Sequence, residues 1–162
     1  GGDGPSRGSA GDLVVLPVAG VADWDPEGDG RENPDLAALA HDGDATTQWR
    51  TEGYRDTGDF SRRNDKTGVG LRITLTRAAR ARELVLTTPT AGAAFQVRPG
   101  EAAAPVASAT TTGGRQVVRL ADAEPQTSYT LWFTDIPADP ADGTRYRVYV
   151  GEVDLRGAAN GS

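Results

Sequence analysis

The sequence predicts an all-β protein, an antiparallel jelly roll or sandwich with one short helix, and three observations lead there. Its 162 residues carry 21 glycines and 10 prolines but only 37% hydrophobic residues, a composition of many turns around one modest core. Short runs rich in Val, Leu, Thr, Tyr and Phe then succeed one another from residue 69 onward, divided by turn clusters such as TAGA, TTGG, DAEPQTS and ADPADGT. Only one stretch offers a helix start: Asn33 as cap, Pro34 in the first helical position and Asp35 facing the positive helix end.

The elements follow in order. Residues 1–12, GGDGPSRGSAGD, are Gly/Ser-rich without periodicity and read as a linker or an expression scar. The domain spans 13–157, and 158–162 form a flexible tail. In VVLPVAGVADW, Pro17 interrupts the apolar run, which suits an edge strand or a bulge. The acidic loop DPEGDGRENPD precedes the helix, LAALAH, which lasts little more than two turns. Residues 51–68 are long and aperiodic, the pattern of a functional or mobile loop. VGLRITLT alternates with period two, Val69, Leu71, Ile73 and Leu75 inward, and ARELVLTT, AAFQVR, PVASATTT, RQVVRL, YTLWFTDI and RYRVYVGEVDL continue as strands. Trp132, inside LWF, is expected in the core or between sheets.

Charge narrows the partners. With 23 acidic against 17 basic residues the net charge is −6 and no basic stripe appears, so nucleic acid and anionic membrane are poor partners. No run approaches the roughly 20 apolar residues of a bilayer span, and no signal peptide is evident; any membrane anchor is expected outside this sequence. There is no cysteine, and the absence of methionine suggests a piece cut from a longer chain.

The stretch HDGDATTQW, residues 41–49, concentrates the polar chemistry. Catalysis is a weak reading of it: His41 is the only histidine, no nucleophile elbow exists, and two aspartates on one turn cannot flank a sugar from opposite faces. A hard cation fits better, because carboxylates, hydroxyls and carbonyls suit calcium. An EF-hand is excluded, since Leu36 stands where the bidentate Glu belongs and Thr47 where Gly is needed.

The short helix feeding DGDATTQW, the gap to VGLRITLT and the closing strand GEVDL together resemble the discoidin domain, also called the coagulation factor 5/8 C-terminal type, across nearly the whole ordered chain. That resemblance implies a galactose-binding-like jelly roll and a structural calcium ion. Carried to this sequence, Asp42 and Thr47 would lend side-chain oxygens, Leu39 and Asp44 carbonyls, and Gly151 with Glu152 would close the site, with Trp49 packed beneath the turn. The runs DWDPEGDGRENPD, TTQWRTEGYRD, KTGVGLRITL and RYRVYVGEVDLRG look more particularly like the extracellular carboxyl-terminal domain of actinobacterial MviN/MurJ-type flippases or of the kinase-like proteins encoded with them. One departure is Gly53, where that group commonly has an aromatic residue.

On this basis function is expected in the loops at one end of the sandwich. The ligand candidates are Trp24, Asp25, Arg50, Glu52, Tyr54 and Arg55, since tyrosine faces stack on sugars and arginine with carboxylates bonds hydroxyls and acid groups. The expected function is a monomeric, non-catalytic module on the outer face of the plasma membrane that recognises cell-envelope glycan or a peptidoglycan fragment. The alternative is a spacer or protein-interaction domain for a cell-wall partner, in which Tyr54 and its neighbours are tied into internal bonds.

Overall fold

A computed structural model describes residues 12–158. The flanking segments expected as linker and tail lie outside these residues, except for Asp12 and Ala158, the latter a strand residue. Among the described residues thirteen strands run in chain order: β1 (Leu13–Val15), β2 (Val18–Trp24), β3 (Trp49–Arg50), β4 (Val69–Ala79), β5 (Ala81–Thr87), β6 (Ala91–Pro99), β7 (Ala107–Thr112), β8 (Arg115–Arg119), β9 (Gln126–Asp135), β10 (Ala138–Asp139), β11 (Asp142–Tyr146), β12 (Tyr149–Val150) and β13 (Glu152–Ala158). Five form one sheet in the order β2-β4-β9-β6-β7, four form another in the order β1-β13-β5-β8, and all pairings are antiparallel. One core joins the inward residues of both sheets, among them Leu71, Ile73, Phe95 and Phe133 from the larger and Leu84, Leu86 and Leu155 from the smaller. The antiparallel sandwich expected from the strand pattern is the observed architecture.

Pro17 has a definite job. It divides the first apolar run so that β1 edges the four-stranded sheet and β2 edges the five-stranded one; without an N–H, Pro17 stays out of both ladders. The run RYRVYVGEVDL, expected as one strand, is broken as well. Tyr149 and Val150 pair with β3, and only from Glu152 does the chain join β5. Gly151 makes that crossing possible, because a Cβ there would lie 2.4 Å from the Ala45 carbonyl oxygen.

Two other expectations change. The helix is a 3₁₀ helix, Pro34–His41, and Asn33 does not cap it: Asn33 adopts a left-handed conformation (φ 56°) and its Nδ2 donates to the Arg50 carbonyl at 2.8 Å. Trp132 is 3% exposed but faces away from the main core. It lies on the outer face of the five-stranded sheet, closed in by the Arg98 guanidinium 4.9 Å from its ring and by Gly68, where a Cβ would come within 2.5 Å of the indole.

Candidate functional site

The turn after the 3₁₀ helix is held by its own oxygens. Thr47 Oγ1 donates to Asp42 Oδ2 and lies 2.9 Å from the Asp44 carbonyl, and the Asp44 N–H donates to Asp42 Oδ1 at 3.0 Å. The Thr47 hydroxyl and the Asp44 amide hold the Asp42 carboxyl below the usual range. Glu152, at the start of β13, accepts from the Gly43 N–H at 3.2 and 3.3 Å, so the turn and the last strand meet as the motif implied. Asp42, Asp44, Thr47 and Glu152 are thus brought together, while Gly151 presses on Ala45 and Leu39 is half-buried in the helix. His41 serves as a tie, with Nδ1 2.9 Å from the Val153 carbonyl and 3.3 Å from Asp154 Oδ1. Burial pushes the Glu152 carboxyl up, against the Gly43 N–H, and the Asp154 charge adds to the rise.

The six expected ligand residues separate into different environments. Tyr54 is 7% exposed: its OH donates to Glu32 Oε2 at 2.7 Å and accepts from Lys66 at 3.1 Å, while Arg63, Lys66 and the edge of Phe60 surround its ring. It offers no solvent-facing platform. Asp25 is buried beside it and paired with Lys66 at 2.8 Å. Trp24 is half-buried on the outer face of the five-stranded sheet, 3.8 Å from the Arg72 guanidinium. Arg50, Glu52 and Arg55 are exposed. The loop 51–68 is therefore fastened from within, by Tyr54, by buried Phe60 and by Arg63, which donates to the Arg55 and Thr57 carbonyls.

Glu32 is the residue the sequence reading missed. Fully buried, it accepts from Tyr54 and from the Glu52 N–H, and its carbonyl takes the Trp49 indole N–H at 2.8 Å. Its Oε1 is buried without a partner. Burial pushes the carboxyl up to about 7, against the opposing bonds from Tyr54 and Glu52. Nothing in the string GRENPD marks one acidic residue as interior, because that depends on which loops close over it.

A hollow of about 440 Å³ is lined by Gln48, Pro89, Thr90, Asp139, Pro140, Ala141 and Tyr149. Its position follows from the β3–β12 ribbon: Trp49 opposes Val150, both buried, so Arg50 and Tyr149, also opposed, leave on the outer face. Tyr149 is half-exposed and firmly set. Its N–H donates to Thr90 Oγ1 at 3.0 Å, its carbonyl accepts from Thr88 Oγ1, and its OH lies 2.9 and 3.0 Å from the Asp139 oxygens. Burial alone would raise the Asp139 carboxyl, yet bonds from the Ala141 N–H, Arg147 and Tyr149 outweigh it and hold it below the usual range. A larger groove, about 490 Å³, crosses the outer face of the four-stranded sheet between Val15, Val85, Arg115 and Glu152. It has no aromatic lining. Sequence reasoning missed Tyr149, Asp139 and Thr90; the Arg147–Tyr149 spacing puts both on one strand face, but their partner strand was not legible.

No protein-family model matches the chain. Among solved structures, the CBM32 module of AlyQ, in complex with 4,5-unsaturated mannuronic acid, superposes with a TM-score of 0.61 at 12% identity, over 88% of this chain and 97% of that one. A pectin-binding carbohydrate-binding module gives 0.59 at 11% identity, covering 89% and 94%. Chitosan-binding module 1 of a chitosanase/glucanase from Paenibacillus sp. IK-5 gives 0.54 at 19% identity, covering 89% and 99%. At such identities the likeness concerns architecture. The chain has the galactose-binding-like jelly-roll fold of these modules.

Proposed function

We propose that the chain is a non-catalytic carbohydrate-binding module, the extracellular part of a longer membrane protein, that takes cell-envelope glycan in the Tyr149 hollow. The observation that carries this is the half-exposed Tyr149 ring, held at its N–H, carbonyl and hydroxyl, in a mainly apolar hollow at the loop end of a sandwich. A preset aromatic face binds a sugar ring without the cost of ordering a side chain. Asp139 suits binding rather than acid catalysis, since bonds from the Ala141 N–H, Arg147 and Tyr149 hold its carboxyl below the usual range. The fold shared with carbohydrate-binding modules supports the same reading. Among the described residues no helix is long and apolar enough to cross a membrane, so the anchor belongs in this proposal to another segment.

Tyr149→Leu is expected to weaken glycan binding at least about tenfold, roughly 1.4 kcal/mol, while Tyr149→Phe, which keeps the ring, retains it. A glycan array followed by titration calorimetry measures both. Equal binding by the leucine variant would remove the hollow from the site. The spacer reading is favoured by one observation, the enclosure of Tyr54 and Asp25 in internal bonds, and it predicts no saturable binding on the array.

A structural calcium ion belongs to the same proposal. The donor chemistry fits: three oxygens, from Asp42, Thr47 and Asp44, converge, and the Glu152 carboxylate reaches across from β13 to the same turn. Asp42, Thr47 and Glu152 side chains with the Leu39, Asp44 and Gly151 carbonyls would hold it. The ion would fasten the turn to the last strand. Millimolar calcium added after chelation is expected to raise the melting temperature, by mass action on the native state, and Glu152→Gln to abolish the rise. Identical melting with calcium and with chelator would leave the hydrogen bonds alone holding the turn.

A further inference from the structure

The face of the β3–β12 ribbon that carries Tyr149 also carries guanidinium groups. Arg50 is directly opposed to Tyr149, about 5 Å away between Cβ atoms by the geometry of such pairs. The antiparallel pairing continues past the named strands, with the Thr51 N–H donating to the Val148 carbonyl and Tyr54 bridged to Tyr146. Alternation therefore places Gln48 and Glu52 on the same side as Arg50, and Arg147 on the same side as Tyr149.

The two arginines differ in freedom. Arg147 is committed: it pairs with Asp139, and its Nε donates to the Thr51 carbonyl at 3.1 Å. Gly53 makes room for it, because a Cβ there would lie 2.7 Å from Arg147 Nη2 and 3.1 Å from the Arg145 stem. Arg50 is exposed, and among the described residues its guanidinium has no carboxylate partner. Its backbone is nonetheless fixed, its carbonyl accepting from Asn33 Nδ2. A set backbone with an uncommitted planar fork of donors is what bidentate recognition of a carboxylate requires.

The surroundings limit the anion. The chain carries a net charge of −6, and Glu52 leaves the ribbon beside Arg50, so a densely charged polyanion is repelled. A single carboxylate on an otherwise hydroxylated ring meets less of this repulsion, and Asp139, the hollow's own carboxylate, is already paired with Arg147.

Resting on the reading of the hollow as a sugar site, we propose that it selects acidic saccharides. The ring lies on Tyr149, hydroxyls reach Gln48 and Glu52, and the sugar's carboxylate pairs with the Arg50 guanidinium. That carboxylate belongs either to a uronic acid or to the lactyl ether of a muramic acid.

Matched pairs of ligands test this by calorimetry on the domain at low salt. One pair is methyl galacturonide against methyl galactoside. The other is the N-acetylglucosamine–N-acetylmuramic acid disaccharide against chitobiose. The expected result is an acid-to-neutral affinity ratio of about ten or more in at least one pair, and the pair that shows it identifies the source of the carboxylate. Arg50→Gln, checked for an unchanged melting temperature, is expected to reduce that ratio to within about twofold. Equal binding of acid and neutral members in both pairs overturns the acidic selectivity and leaves the sugar site standing. A ratio that persists in Arg50→Gln overturns the role of Arg50. No saturable binding to any of the four ligands, or on the wider glycan array, overturns the sugar site and this inference with it.

Discussion

Replacing Trp49 with alanine is expected to destabilise the domain by about 4 kcal/mol, a large share of the roughly 5–15 kcal/mol by which such domains are stable. Trp49 is 0% exposed and stands where three pieces of the loop end meet: the DGDATT turn just before it, the β3–β12 ribbon that it begins, and Glu32, whose carbonyl takes its indole N–H. Alanine removes the packed ring and leaves that carbonyl without its donor. Trp49→Phe separates the two losses, keeping most of the volume and forfeiting the hydrogen bond, at about 1–2 kcal/mol. Denaturant unfolding followed by circular dichroism measures both. A Trp49→Ala domain within about 1 kcal/mol of wild type would mean that the site collapses without harm, contrary to the close packing seen there.

Stability is also expected to fall as the pH rises through neutrality, because of Glu32. Its carboxyl is raised from an ordinary 4.5 to about 7 by burial, so the native state holds a proton that the unfolded chain has already released. The native state then binds more protons between these values, and linkage gives a negative slope of stability against pH there. This group's contribution is fully present below pH 4.5 and is lost as pH climbs through about 7. The whole effect is roughly 3 kcal/mol. Other groups titrate in the same window, so the comparison with Glu32→Gln isolates it: the neutral variant should show a flatter profile and should match or exceed wild type at pH 8. Parallel profiles for the two proteins would show that Glu32 is not the titrating group. The chemical reason for the penalty is visible in its surroundings, where Oε2 has the Tyr54 hydroxyl and the Glu52 N–H but Oε1 has no partner.

Much of the fold was legible in the sequence because strand alternation is a local property. Val69, Leu71, Ile73 and Leu75 fill the core as their spacing predicted, and Pro17 falls at an edge because it has no N–H to give a ladder. The DGDATTQW turn met Glu152 of the last strand as the resemblance implied. Asn33 departed from its capping role because its side chain found the Arg50 carbonyl, seventeen residues along the chain, instead of the helix's own amides. Trp132 departed from the core because LWF alternates as a strand, and Leu131 and Phe133 already occupied the inner face.

The candidate site was less legible, and Tyr54 and Tyr149 show why. Tyr54 lies in the aperiodic stretch 51–68, where no alternation marks it as inside or outside, and Tyr149 lies in β12, between Val148 and Val150, in a run whose partner strand the sequence does not reveal. Tyr54 is enclosed because Glu32, Phe60, Lys66 and Arg63 arrive from other parts of the chain, whereas Tyr149 is left at the surface because Val150, its strand neighbour, takes the inward place opposite Trp49. The sequence by itself determined the sandwich and the lack of a basic stripe, since periodicity and net charge are summed over neighbouring residues, while the meeting of the turn with the last strand was implied by the family resemblance alone. Only the tertiary structure decided that Glu32 is buried, that Tyr54 is spent on it, and that Arg50 stands beside Tyr149, because burial and cross-strand pairing depend on residues far apart in the chain meeting in one register.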